Sequence, residues 1–287
     1  MKGSVAVLSY FLSCGANPLL PDNVKLYYEE VGEGRPVVFI HGWSCCGRFF
    51  KPIVAGLRDK YRCISVDLRG HGGSEHELRD GLTMKKLAQD LRELLEYLNL
   101  KDVILVGHSM GVSVILNYIG QFGCENIAKL ALIDMTPKMI NDETWDESFS
   151  KTPYTMETLC RDTEDMNGNF DKFILRFFQL MSPQLLLIPE QMSALVGAGF
   201  LNGNNPQVLK SLFFSMALCD NRPAVEKITV PLLYFHPEEG LQPKSVPEYF
   251  AEHAKAAVKI VSIPEAEHLA PVELPEAFIG EMKEFFA

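Results

Sequence analysis

Apolar runs alternate with helix-like stretches along residues 24 to 135. The runs Pro36–Ile40 and Val103–Val106 are short and wholly apolar, which is typical of strands buried on both faces of a sheet. Between them, Thr83 precedes leucines at helical spacing, and threonine is a residue type that caps helices. These leucines are Leu87, Leu91, Leu94, Leu95 and Leu98. The alternation predicts an α/β fold with a mostly parallel sheet and helices on both of its faces.

The same criteria predict further elements on both sides of these runs. The additional strands are Val24–Glu30, Cys63–Val66, Leu130–Ile133, Val230–Phe235 and Val258–Ile263. The additional helices are Arg48–Arg58, Met110–Gln121, Val246–Ala254 and Pro275–Phe286. Strands and helices therefore alternate through most of the chain, with one long interruption.

The interruption extends from about residue 137 to 224 and contains no convincing strand pattern. It is interpreted as several helices rich in phenylalanine and methionine. These residues are Phe170, Phe173, Phe177, Phe178, Met181, Met192, Phe200, Phe213, Phe214 and Met216. A helical block between two strands of one sheet predicts an inserted cap. We therefore predict a core of residues 1–136 and 225–287 and a helical cap of residues 137–224, with an apolar pocket beneath the cap.

The N-terminal apolar run Val5–Leu12 has two interpretations. It is rich in strand-forming residues and short, which favours a first β-strand. The alternative is a very short secretory signal, or a lipoprotein signal around Cys14. No apolar run approaches the roughly 20 residues of a membrane-spanning helix. We therefore expect no membrane association.

Composition and charge narrow the class of protein. The 287 residues suit one large domain with an insertion, and the net charge of −10 disfavours nucleic acid and anionic membranes as partners. Seven cysteines in no regular spacing are a poor disulfide framework, so we expect reduced thiols and a cytoplasmic protein. The sequence contains no cysteine–histidine cluster that would indicate a zinc site. Neither a metal nor another cofactor is expected, and a homo-oligomer is left open.

The segment Gly107-His108-Ser109-Met110-Gly111 fits the G-x-S-x-G pattern. It lies between a predicted buried strand and a predicted helix, which is the context of a nucleophile elbow. In such an elbow, a tight turn holds the serine hydroxyl at the carboxyl edge of the sheet, and the glycines let strand and helix approach closely. Ser109 is therefore the candidate nucleophile, and a simple glycine-rich turn is the alternative.

His41-Gly42-Trp43 directly follows the strand Pro36–Ile40. Together with the serine motif, this segment resembles the α/β-hydrolase superfamily, especially its small esterase and haloperoxidase-like members. The resemblance implies that the backbone N–H groups of Trp43 and Met110 form an oxyanion hole, which stabilises the negative charge of a tetrahedral intermediate. The segment Asp67–Ser74 also matches a loop of this superfamily, and its role there is structural.

Seven histidines compete for the role of general base, and the resemblance selects His268. This histidine follows the last predicted strand and precedes the final helix, as in the closing segment of the superfamily. A neutral imidazole near pH 7 can take the serine proton and return it to the leaving group. His268 is therefore the candidate base.

The triad acid has three candidates in the sequence. In most members of the superfamily it follows the strand equivalent to Val230–Phe235, but there this chain has Pro237-Glu238-Glu239-Gly240, with glycine at the expected aspartate position. Some members place the acid after the preceding strand, where this chain has Asp134. Asp134 is the leading candidate, Glu238 and Glu239 are the alternatives, and a turn aspartate before a proline is the structural interpretation of Asp134.

These residues together predict a serine hydrolase that cleaves small to medium apolar carboxylic esters through an acyl-enzyme. Lactone, amide, thioester and carbon–carbon bond cleavage would use the same groups. Two other classes remain as alternatives, namely a non-catalytic small-molecule receptor and a cofactor-free oxygenase on the same fold.

Overall fold

The computed structural model describes residues 8–14, 24–76, 82–149, 153–183 and 204–287. In this part of the chain, eight strands form one sheet in the spatial order β1-β2-β4-β3-β5-β6-β7-β8. The strands are β1 Leu8–Cys14, β2 Val24–Val31, β3 Arg35–Ile40, β4 Tyr61–Asp67, β5 Val103–His108, β6 Ile127–Ile133, β7 Leu232–Pro237 and β8 Val258–Ile263. Strand β2 is antiparallel to both of its neighbours, and the remaining five pairs are parallel.

Ten α-helices are found among the described residues. They are α1 Lys51–Leu57, α2 Met84–Tyr97, α3 Met110–Phe122, α4 Met156–Gly168, α5 Phe170–Met181, α6 Pro206–Leu218, α7 Arg222–Val225, α8 Ser245–His253, α9 Ala270–Glu273 and α10 Pro275–Phe286. Two separate groups of helices flank the sheet, since α1 packs against α10 while α2, α3 and α7 pack together. The predicted mostly parallel sheet with helices on both faces is therefore confirmed.

Two predicted boundaries differ from the observed ones for identifiable reasons. The predicted helix Arg48–Arg58 is a 3₁₀ turn, Gly47–Phe50, followed by α1, whose first turn contains Pro52. Proline is favoured at the start of a helix, because its fixed φ suits that position and the first N–H has no helical partner. Strand β7 begins at Leu232 instead of Val230, and the intervening Pro231 has no N–H to donate to the sheet.

The N-terminal run forms a strand within the part of the chain that is described. Strand β1 pairs with β2 along its whole length, from Leu8 opposite Glu30 to Cys14 opposite Val24. The first part of the predicted strand, residues 5–7, lies outside the described residues. No helix of the described residues is long and apolar enough to cross a membrane.

Helices α4 to α7 lie between β6 and β7, where the sequence predicts an insertion. Helix α4 packs against both α5 and α6, and α6 also contacts α2 of the main body. Their buried apolar side chains include Phe173, Phe178 and Phe213, and the rings of Phe173 on α5 and Phe213 on α6 pack edge to face. Met192 and Phe200 of the predicted apolar set lie outside the described residues. The domain boundaries at residues 137 and 224 stay a prediction.

Candidate active site

Ser109 lies on the sharp turn between the end of β5 and the start of α3. Its φ of 52° and ψ of −121° place a non-glycine residue in a region that L-amino acids rarely adopt. The turn is held by the Ser109 N–H, which donates to the carbonyl of Ile133 on β6 at 3.0 Å. Such strain persists only where the surrounding structure enforces it, and it is concentrated at functional sites.

The glycine after this turn permits close packing of α3 against β3. A Cβ atom on Gly111 would lie 2.0 Å from the carbonyl oxygen of Ile40, so that no larger residue fits without moving the backbone. Gly42, just after β3, is similarly close to the turn, because a Cβ there would lie 3.2 Å from the Cβ of Ser109. The loop that continues into Trp43 therefore passes directly beside Ser109.

Met110 is the first residue of α3. The N–H groups of the first helical turn have no carbonyl partner within their own helix and carry the positive end of the helix dipole. The chain thus brings the backbone of Gly42-Trp43 and the N-terminus of α3 to the same serine. These are the elements from which the sequence predicts an oxyanion hole.

His268 and Asp134 are joined by a hydrogen bond in the interior of the protein. The Nδ1 of His268 lies 2.7 Å from Oδ2 of Asp134, and both side chains are almost completely buried. The same carboxylate accepts hydrogen bonds from the N–H of Leu241 at 3.0 Å and of Gln242 at 3.2 Å. These donors satisfy a carboxylate that has no access to solvent, and they fix its position beside the imidazole.

Gly240 creates the space that the carboxylate of Asp134 occupies. A Cβ atom on Gly240 would lie 2.4 Å from Oδ2 of Asp134. Glu238 and Glu239, the alternative acids, have exposed side chains. Their N–H groups donate to the carbonyls of Ile263 and Ala266. The structure therefore brings Asp134, rather than either glutamate, to His268.

The backbone of His268 connects β5, the turn of Ser109 and the inserted helices. Its carbonyl accepts a hydrogen bond from Nε2 of His108 at 2.8 Å, and the centroids of the two imidazole rings are 4.6 Å apart. Its N–H donates to the carbonyl of Met181, the last residue of α5, at 3.3 Å. Because His108 immediately precedes Ser109, these contacts fix the imidazole of His268 next to the serine turn.

The histidines near the site have structural partners. The Nε2 of His41 accepts from the N–H of Leu68 at 2.9 Å, which leaves the proton on Nδ1 for the carbonyl of Gly42 at 2.7 Å. Burial lowers the pKa of His41 to about 4. Burial also lowers the pKa of His71 and His108 well below the ordinary value, with neighbouring histidines adding to the effect. These three imidazoles are therefore neutral near pH 7. Their hydrogen bonds to backbone groups stabilise the loops around Ser109.

The loop Asp67–Ser74 has the structural role that the sequence indicated. The carboxylate of Asp67 accepts hydrogen bonds from the N–H groups of Gly47 and Gly73, both at 2.7 Å. Arg69 forms a buried ion pair with Asp90 of α2 at 2.6 Å. These contacts tie the end of β4 to the 3₁₀ turn and to α2.

The indole of Trp43 anchors the inserted helices to the loop after β3. Its Nε1 donates to the carbonyl of Leu209 on α6 at 2.9 Å, and the side chain is buried. Four phenylalanine rings of α5 and α6 surround it, with centroids 5.2 to 6.3 Å away. They are Phe170, Phe173, Phe177 and Phe213. Part of the aromatic content of the insertion is thus packed over the candidate site.

A cavity of about 460 Å³ lies between α4, α5 and the loop after β7. Its apolar lining is Phe149, Phe177, Leu180, Met181 and Leu241. Its polar lining is Tyr154, Thr158, Arg161, Asp162 and Arg176. Two lining residues adjoin the candidate site directly, since Met181 bonds to His268 and Leu241 bonds to Asp134 through backbone atoms. The charged part of this lining has no distinctive pattern in the sequence, because arginines and aspartates on a helix resemble an ordinary solvated face.

Comparison with known proteins agrees with this architecture. A family model described as the alpha/beta hydrolase fold matches residues 35–273. The putative non-heme chloroperoxidase of Synechocystis sp. is 30% identical over 220 residues, covering 74% of this chain and 76% of that protein. The pimeloyl-(acyl-carrier protein) methyl ester esterase of Vibrio vulnificus is 24% identical over 265 residues, covering 92% and 98%. The solved esterase EaEST from Exiguobacterium antarcticum has a TM-score of 0.85 at 23% identity, covering 97% and 99%. The chain therefore belongs to the alpha/beta hydrolase fold family.

Proposed function

We propose that this protein is a serine hydrolase that cleaves small to medium apolar carboxylic esters through an acyl-enzyme. The observation that carries the proposal is the buried hydrogen bond of 2.7 Å between His268 Nδ1 and Asp134, beside a serine on a strained strand-to-helix turn. A carboxylate in this position holds the imidazole in one tautomer and leaves its Nε2 free to take the serine proton. The similarity to a methyl ester esterase supports ester chemistry.

Each candidate residue has a defined part in the reaction. The hydroxyl oxygen of Ser109 attacks the ester carbonyl carbon while His268 takes its proton, and the carbonyl electrons move onto oxygen. The N–H groups of Trp43 and Met110 donate to that oxyanion. The alcohol leaves with the proton from His268. Water then adds to the acyl-enzyme with His268 as base, the acid is released and the serine is restored.

The surroundings of Ser109 favour an apolar substrate. The aromatic rings around Trp43 and the apolar wall of the cavity adjoin the candidate site from the side of the inserted helices. An apolar cavity that excludes water strengthens every hydrogen bond to the transition state. We therefore propose a substrate with a short to medium aliphatic or aromatic group next to the ester.

A test of the proposal compares ester turnover by the native protein with that of two serine variants. We expect hydrolysis of p-nitrophenyl esters with short to medium acyl chains, and a loss of kcat of at least about 10³-fold in Ser109→Ala. Ser113→Ala is the matched control, because Ser113 is a second buried serine, one helical turn after Ser109 on α3. It should retain full activity.

Two outcomes would replace the proposal. Tight ligand binding without turnover of any ester by the native protein would indicate a receptor on this fold. Consumption of oxygen with an organic substrate, in the absence of ester turnover, would indicate a cofactor-free oxygenase. Substantial esterase activity in purified Ser109→Ala would refute the assignment of the nucleophile.

A further inference from the structure

Three of the described residues that line the cavity are charged, namely Arg161, Asp162 and Arg176. Asp162 accepts a hydrogen bond from Arg176 at 2.9 Å through Oδ1 and from the hydroxyl of Tyr154 at 2.9 Å through Oδ2. Arg176 also donates to Asp165 at 2.6 Å. This network of four residues, Tyr154, Asp162, Asp165 and Arg176, leaves neither oxygen of Asp162 without a donor.

Arg161 differs from these residues. It lines the same cavity, and no carboxylate of the described residues lies within ion-pair distance of its guanidinium. The side chain is exposed, which places it at the rim of the cavity. Among the described lining residues, Arg161 is the charged side chain that takes part in neither ion pair of Arg176, in a chain whose net charge is −10. A guanidinium presents a rigid fork of donors that matches a carboxylate or a phosphate.

Two apolar residues that line the cavity are hydrogen-bonded to the candidate active site. They are Met181, whose carbonyl accepts from the N–H of His268, and Leu241, whose N–H donates to Asp134. The volume of about 460 Å³ is within the range of about 300–1,000 Å³ that is typical of small-molecule sites. The lining of one cavity thus combines apolar residues that are bonded to the His268–Asp134 pair with an arginine that has no ion-pair partner among the described residues.

We propose that the substrate is an ester with an apolar body and a carboxylate, or another small anion, at its far end, and that Arg161 binds this anion. This inference rests on the proposed ester hydrolysis and narrows its substrate class. The apolar body occupies the section between Phe177, Met181 and Leu241. Arg161 then contributes to substrate selection and takes no part in bond cleavage.

The experiment uses two pairs of esters that differ only in the distal charge. For an anion on the acid part, the pair is the mono-p-nitrophenyl ester of adipic acid and p-nitrophenyl hexanoate. For an anion on the alcohol part, the pair is 4-acetoxybenzoate and 4-methylphenyl acetate. In one of the pairs, we expect the native protein to have a higher kcat/KM for the anionic ester than for the neutral one. Arg161→Gln should lower kcat/KM for that anionic ester about tenfold, mainly by raising KM.

Neutral esters provide the internal reference, since Arg161→Gln should leave their turnover unchanged. Arg161→Lys should retain part of the preference, because it keeps the charge without the fork of donors. Lys172→Gln is the matched control. Lys172 is an exposed residue of α5 that is not part of the cavity lining, and the substitution likewise removes one positive charge. It should leave the preference intact.

The two proposals fail in different ways in this experiment. Turnover of neutral esters with no anionic preference in either pair, or an equal preference in native protein and Arg161→Gln, would overturn the role of Arg161 and leave ester hydrolysis standing. Absence of turnover with all four esters would contradict the proposed ester hydrolysis itself.

Discussion

The carboxylate of Asp134 occupies the space directly in front of Gly240. A Cβ atom on Gly240 would lie 2.4 Å from Oδ2 and 2.9 Å from Cγ of Asp134. The two residues after Gly240 donate their N–H groups to the same carboxylate. The carboxylate of Asp134, which follows β6, is thus bound by the backbone of the turn after β7. An acid at position 134 and a side chain at position 240 exclude each other.

Gly240→Ala should therefore lower kcat by about 10²-fold with a small change in KM. The added methyl group displaces the Asp134 carboxylate from His268, and misplacement of a catalytic group by about 1 Å costs roughly that factor. Steady-state kinetics with a neutral p-nitrophenyl ester measures the effect. Gly280→Ala is the control, because a Cβ there meets nothing within 4 Å. It should be fully active, and equal activity of the two variants would refute the relationship.

A carboxylate at position 240 should be able to replace the one at position 134. Asp134→Ala removes the carboxylate and should reduce kcat by orders of magnitude. Adding Gly240→Asp places a new carboxylate where the old one ended, within reach of the same two N–H donors. We expect kcat of the double variant to exceed that of Asp134→Ala by at least about tenfold. No recovery in a double variant with a native-like circular dichroism spectrum and thermal transition would show that the acid cannot be replaced from this turn.

The sheet could be predicted from the sequence because its central strands are buried on both faces. Such strands are short runs without polar residues, as in Val103–Val106, and their order along the chain implies parallel pairing. The turn of Ser109 could be predicted because a nucleophile elbow requires small residues at fixed spacing on both sides of the serine. In both cases the physical constraint is local, and it is therefore visible in a short segment.

The choice between Asp134 and the two glutamates depends on contacts across the chain. Asp134 and Gly240 are separated by more than one hundred residues, and only the folded sheet shows that the one fills the space left by the other. Arg161 escaped prediction for a related reason. On α4 it is one of several charged residues, and its lack of an ion-pair partner in the described part of the chain becomes apparent only when the ion pairs of Arg176 are known.

Glu273 should make the stability of the protein dependent on pH. Burial, with a contribution from nearby Glu267, raises its pKa to about 7, and its buried Oε1 has no hydrogen-bond partner among the residues that the structure describes. The unfolded chain has an ordinary glutamate pKa of about 4.3. Between that pH and the folded pKa, the folded state binds more protons than the unfolded state, so stability falls as the pH rises through this range. Glu273→Gln should therefore be more stable than the native protein at pH 8 by about 2 kcal/mol, a value reduced from the full effect of the pKa shift because the side chain is partly exposed to solvent.

Most of this difference should disappear at pH 5, where Glu273 is protonated in the folded protein. Urea denaturation at pH 5 and pH 8 measures it. The control is Glu276→Gln, which alters an exposed glutamate in the first turn of α10 and should change stability little at either pH. A difference between Glu273→Gln and the native protein that is the same at both pH values would contradict the assignment.

The most direct test of the account is covalent labelling with a fluorophosphonate, followed by intact-protein and peptide mass spectrometry. Ser109 oxygen attacks phosphorus and fluoride leaves, so that the adduct marks an activated serine independently of the natural substrate. We predict one adduct per chain, located on Ser109, with loss of ester turnover in proportion to labelling. His268→Asn should label far more slowly, and Ser109→Ala should not label. An adduct on another serine, or an unlabelled native protein that still hydrolyses esters, would contradict the account.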